Sequence, residues 1–90
     1  MFIYRLKNLF LSDEKILTKE DCETIIRARG YSESGRFSFV KQSYSTRTQI
    51  QVYDDKVWIK AYSGSYGESD TIRFPLTKKE LISFIRSNAA

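Results

Sequence analysis

Residues 47–62, RTQIQVYDDKVWIKAY, alternate polar and apolar side chains on both sides of an Asp54-Asp55 pair. A strand with one buried face needs this period of two, because successive side chains leave a pleated backbone on opposite sides. Thr48, Ile50 and Val52 make one inner row and Val57, Ile59 and Ala61 the next, so the stretch predicts a hairpin closed at Asp54-Asp55. With two turn residues Val52 opposes Val57 and Ile50 opposes Ile59, and both rows share a face that a slip of one residue would split. Asp-Asp is a weaker turn dipeptide than Asn-Gly, and a four-residue loop that keeps the same pairing is the alternative.

This register also fixes the outward pairs: Arg47 with Tyr62, Gln49 with Lys60, Gln51 with Trp58 and Tyr53 with Lys56. Three large aromatics therefore fall on the side that a small protein normally leaves to water. If a further strand pairs beside residues 56–62, Thr71 and Arg73 extend the face, which then holds three aromatics, four cations and no acid.

On either side of the strands the period changes. Leu17-Thr18-Lys19-Glu20-Asp21 and Leu76-Thr77-Lys78-Lys79-Glu80 carry the same helix-start signature. In each, a threonine can cap free backbone N–H groups, an acid three residues on completes a capping box, and a leucine before the cap can staple to Cys22 or Leu81. The first helix is expected over Lys19–Arg29, burying Cys22, Ile25 and Ile26 and stopping at Gly30. The second is expected over Lys78–Ser87 with Leu81, Phe84 and Ile85 as its core stripe and Ile82 at the margin.

Residues 36–44, RFSFVKQSY, read as a strand with Phe37 and Phe39 on one side and a bulge at Val40, where the alternation breaks. SGSYGES, residues 63–69, reads as a flexible Gly/Ser loop, and Ile72 and Phe74 as a last short strand that Pro75 ends. Residues 1–16 fit either a strand, through Phe2, Tyr4 and Leu6, or a short helix, through Phe2, Ile3, Leu6, Leu9 and Phe10, packing on the same core. The expected fold is α+β: one small domain over residues 1–90, an antiparallel meander of three to four strands with one helix before it and one after.

Ninety residues with 41% hydrophobic content build one modest core but no cleft between two lobes. A net charge of +4 and a pI near 9.3 suit an anionic partner, although the charge is spread evenly with no basic tail. A single cysteine, Cys22, excludes an intramolecular disulfide and favours a reducing, cytoplasmic setting, or the interior of the host if a phage encodes the chain. Arg5 and Lys7 interrupt the opening MFIYRLKNLFL, no cleavage-type site follows, and no stretch approaches a membrane span.

Catalytic chemistry is thinly supplied. The chain has no histidine, which removes the commonest general base and metal ligand, and one cysteine leaves no zinc site of ordinary spacing. GSYG, residues 64–67, lacks the lysine and the strand-to-helix setting of a phosphate loop. No cofactor, metal or catalytic set is expected; the one enzymatic class that survives is a small ribonuclease using Arg73, Lys60 and Tyr62.

Function is expected from the outward face. Aromatic rings offer each base a surface worth roughly 1 to 3 kcal/mol, and interleaved lysine and arginine follow the phosphates. The leading expectation is a non-enzymatic binder of single-stranded or distorted nucleic acid through Arg47, Tyr53, Lys56, Trp58, Lys60, Tyr62 and Arg73. A helix, three strands and a helix is also the element order of double-stranded RNA-binding domains; this is likeness of topology alone, and it would assign phosphate contacts to Lys78 and Lys79. The competing expectations are a small inhibitor or adaptor, of the kind phages and mobile elements encode to block a host protein, a homodimer joined through the same face, and an N-terminal segment that lies across it and buries Trp58. Cross-strand aromatic pairs also stabilise sheets with no ligand at all.

Overall fold

The computed structural model describes residues 14–89. Their order is α1 (Lys19–Ala28), β1 (Ser32–Gly35), β2 (Ser38–Ser43), β3 (Thr46–Val52), β4 (Lys56–Ser63), β5 (Tyr66–Arg73) and α2 (Lys78–Asn88). The strands form one antiparallel sheet in sequence order, so every neighbour in the sheet is a neighbour in the chain. The α+β class, the antiparallel meander and a helix on each side of it are as the sequence implies. The expectation for residues 1–13 lies outside the described residues.

Register in the central hairpin follows from the two inner rows. Val52 opposes Val57, Ile50 opposes Ile59 and Thr48 opposes Ala61. Phe39, Ile50, Val52, Val57 and Ile59 are buried against Cys22, Ile25 and Ile26 of α1 and Leu81, Phe84 and Ile85 of α2. Burying each such side chain contributes about 1.5–3 kcal/mol, which is what pins the register. Both described helices thus lie on one face of the sheet, and among the described residues the opposite face carries none. Inside the core, the Tyr31 hydroxyl is satisfied by a hydrogen bond with Thr48, while burial pushes its pKa up.

Both helix starts form as their signatures require. The Thr18 hydroxyl accepts from the Asp21 N–H at 3.1 Å, and the Asp21 carboxylate accepts from the Thr18 N–H at 3.0 Å. Thr77 and Glu80 repeat the box at 3.3 and 2.8 Å. The tertiary structure sets the two starts side by side: the Leu17 N–H donates to the Leu76 carbonyl at 2.9 Å and Ile16 forms a bridge with Thr77. Helix α1 ends one residue earlier than expected, with Arg29 as its cap and Gly30 at φ 93°, while α2 runs one residue further, to Asn88. Lys41 closes α1 by donating to the Arg29 carbonyl at 3.2 Å.

Partial burial pushes the Asp21 carboxyl up, but the Lys15 ammonium and the Thr18 N–H outweigh it and hold it below its ordinary value. A depressed carboxyl contributes stability that is complete above its unfolded value of 3.8 and is lost as pH falls through the lower folded value. Asp21→Asn should therefore flatten the acid limb of stability against pH in urea melts. Thr18→Ala should cost about 1 kcal/mol at neutral pH.

The structure corrects four readings of the sheet. Among the described residues it has five strands rather than three or four, because SESG forms β1 although all four of its residues are exposed. Strand β2 begins at Ser38, and Phe37 lies in the turn before it at φ 58°, so Phe37 and Phe39 do not share a row. The irregularity expected at Val40 sits instead in β1, between Glu33 and Gly35, while Val40 pairs regularly with Gln49. SGSYGES is not a loop. Only Gly64 and Ser65 turn, and Tyr66–Arg73 pairs along the full length of β4, with Phe74 already beyond the strand.

Candidate binding face

On the sheet face away from α1 and α2, strands β2–β5 align their outward residues in rows. Gln42, Arg47, Tyr62 and Gly67 form one; Val40, Gln49, Lys60 and Ser69 the next; Ser38, Gln51, Trp58 and Thr71 the third; Lys56 and Arg73 close the end. No carboxylate stands in these rows. Glu33, Glu68 and Asp70 fall on the helix side, opposite Phe39, Ala61 and Ile59. The face carries Arg47, Lys56, Lys60 and Arg73 around the aromatics, and three of the four outward pairs expected across the hairpin are ladder pairs.

Tyr53, Lys56 and the turn sit where the sequence puts them. The Tyr53 N–H donates to the Lys56 carbonyl at 2.8 Å, and the Lys56 ammonium lies 5.4 Å from the Tyr53 ring centre. Both turn acids are taken up by cations. Asp54 receives Lys19 at 2.8 Å, which holds its carboxyl below the usual range, and Asp55 meets Arg73 at 3.4 Å. Lys19 also lies 3.9 Å from the Phe37 ring, tying the start of α1 to both turns at this end. Arg73 accordingly shares its charge with Asp55, whereas Arg47 and Lys60 have no ion-pair partner among the described residues.

Tyr62 is the most elaborated position. Lys60 lies 5.0 Å and Arg47 5.9 Å from its ring centre, each close enough for a cation–π contact. Directly across β5 stands Gly67, where a Cβ would come within 3.1 Å of the Lys60 chain and 3.2 Å of the Tyr62 ring. The missing side chain lets both residues lie against the edge strand. Trp58 and Tyr62 are half-buried and Tyr53 is 39% exposed. Of the three rings only Trp58 has no cation over it among the described residues.

Sequence reasoning missed Gly67, because the segment holding it reads as a loop; the signal was the two-residue spacing around Gly64-Ser65, which sets 62 opposite 67. It also missed Tyr44. That residue turns the β2–β3 hairpin at φ 45°, a region that costs an L-residue roughly 1–2 kcal/mol, and is fully exposed. Its turn is joined to the β4–β5 turn by the Gly64 N–H donating to the Ser45 carbonyl at 3.3 Å.

Of the three residues considered for ribonuclease chemistry, Lys60 and Tyr62 meet, but Arg73 lies four residue pairs along the ladder from Lys60, beside Asp55. No group of three or more histidine, cysteine, aspartate or glutamate side chains is placed to hold a metal ion among the described residues. Cys22 is fully buried and burial, followed by the Asp21 charge, pushes its pKa up to about 12, which makes it an unreactive part of the core. No helix of the described residues is long and apolar enough to cross a membrane.

Among the described residues, fold and face together define a five-stranded antiparallel meander backed on one side by two helices, with a basic and aromatic surface on the other. Comparison with protein-family models, with curated proteins and with solved structures finds no match to the chain.

Proposed function

We propose that the open sheet face binds single-stranded or distorted nucleic acid, in the cytoplasm or inside a host cell, without catalysing a reaction on it. One observation carries the reading: four cations and three aromatics share a face whose rows contain no acid, while the nearby carboxylates lie on the helix side or are paired at the turn. Trp58 would stack on a base, Tyr62 and Tyr53 would flank it, and Arg47, Lys60 and Lys56 would follow the phosphates, with Arg73 contributing less. The half-burial of Trp58 fixes its ring before a ligand arrives, so less ordering is lost on binding.

A second reading draws on Tyr62. Its ring already carries two cations, an arrangement that suits an anchor for a protein surface, and the same face could then serve an inhibitor or adaptor, or join two copies of the chain. Titration of the protein with a mixed single-stranded oligonucleotide and then a duplex, following fluorescence of the lone tryptophan at two salt concentrations, separates the readings. Saturable quenching by the single strand that weakens log-linearly with salt supports nucleic acid. No response from either polymer, with a monomer in sedimentation, would leave the protein-binding reading in its place.

A further inference from the structure

The two edges of the sheet are unlike. β1 is four residues long and carries an irregularity, which blunts it as a template for further pairing. β5 is eight residues long, pairs with β4 without interruption, contains no proline, and has six consecutive exposed residues from Tyr66 to Thr71. Its outer edge has no neighbouring strand among the described residues.

Beside that edge, on the helix side, runs a groove. One section of about 470 Å³ lies between Asp70 and Ile72 of β5 and Lys79, Ser83 and Phe84 of α2. A second, of about 250 Å³, continues it past Glu68 and Tyr66 to Ser87 and Asn88. The helix-side row of β5 is Tyr66, Glu68, Asp70, Ile72, that is, two acids between two apolar groups. Glu68 accepts from the Tyr66 hydroxyl at 2.6 Å and Asp70 from the Thr71 N–H at 2.8 Å, but neither has an ion-pair partner among the described residues. On a chain of net charge +4 this is a local acidic strip, and it borders an edge that has no strand partner among the described residues.

We propose that β5 accepts an extended segment of a partner protein as a sixth strand, with lysine or arginine at alternate positions against Glu68 and Asp70 and apolar side chains flanking them over Tyr66 and Ile72. Strand addition draws its affinity from main-chain hydrogen bonds and its specificity from alternate side chains, which are the two resources this edge offers. A second copy of the chain fits less well. With the helices on one side, the two-fold antiparallel registers that pair the most residues set Glu68 against Asp70 or Asp70 against itself, and like charges directly opposite each other destabilise a ladder. The site lies on the other side of the sheet from the rows around Trp58 and stands or falls apart from the nucleic-acid reading.

The probe is the acetylated, amidated peptide Leu-Thr-Lys-Thr-Lys-Thr-Leu, whose pattern reads the same in both chain directions. Followed by amide chemical shifts in the full chain, it should perturb Tyr66–Arg73 and the facing residues of α2, saturably, and should leave Trp58 unchanged. The same peptide with glutamate for both lysines should bind about tenfold more weakly. The exposed double variant Glu68→Lys with Asp70→Lys should reverse that preference, which a merely unfolded or weakened protein would not do. Absence of shifts in β5 at millimolar peptide, or a preference that does not reverse, would overturn the proposal and leave Glu68 and Asp70 as charges that guard the edge. Shifts in β5 that appear on concentrating the protein alone would overturn it in favour of a second copy.

Discussion

Phe39→Ala should lower the unfolding free energy by about 3–5 kcal/mol, the usual cost of removing a buried aromatic ring and leaving its cavity. Phe39 is fully buried in β2, opposite Ile50, with the Arg27 guanidinium 5.4 Å from its ring centre. Arg27 in turn holds Glu33 of β1 at 2.9 Å, so the substitution loosens the seat of a side chain that joins α1 to the edge strand. For a domain of this size total stability is about 5–13 kcal/mol, and a loss of this size takes up a large fraction of it. Urea unfolding followed by far-UV circular dichroism would read it directly. Phe37→Ala serves as the contrast. Phe37 is half-buried in a turn at φ 58° and its ring packs under Lys19, so its truncation should cost about 1–2 kcal/mol. Equal losses at the two positions would return Phe37 to the strand row that the alternation of RFSF suggests.

Trp58→Ala should weaken binding of a single-stranded oligonucleotide by about 1–3 kcal/mol, which is roughly five- to 150-fold, through loss of one stacked base. Because Trp58 packs on the sheet surface and not in the core, the fold should persist, and unfolding measured alongside would separate the two effects. Cations on the same face should behave differently. Replacing Arg47 and Lys60 by alanine should reduce the slope of log affinity against log salt by about 0.7 for each phosphate that is no longer neutralised, with little dependence on base sequence. Arg73→Ala should change the slope less, because Asp55 already offsets part of its charge. Equal slopes for Arg73→Ala and for the Arg47 and Lys60 pair, or no salt dependence at all, would remove the phosphate-following role from this face.

The extent to which these positions can be read in advance differs by residue. Arg47, Trp58, Lys60 and Tyr62 follow from the hairpin register, since two apolar rows that must be buried together leave their alternates outside. Tyr53 and Lys56 follow from the two-residue turn. Arg73 falls on the expected face, but its pairing with Asp55 is not visible in the sequence, because the two are eighteen residues apart and meet only once β5 lies beside β4. Gly67 and the place of β5 at the end of the described strand order are hidden for a related reason. YGESDTIR has no apolar alternation, and glycine and serine read as turn formers when nothing indicates that a neighbouring strand is waiting for them.

By itself the sequence determined the class, the two helices and the central hairpin. Each is specified locally, by a capping box with its staple or by a period of two whose apolar row must leave water. Only the tertiary structure decided that the described strands number five, that both described helices occupy one face, and that the turn acids are neutralised while the outward rows contain no acid. Edge strands such as β1 and β5 are held by backbone hydrogen bonds to a neighbour and bury little of their own, so no hydrophobic period records them. The charge pattern of the face likewise depends on which residues meet across strands, and that is set by packing of the whole chain.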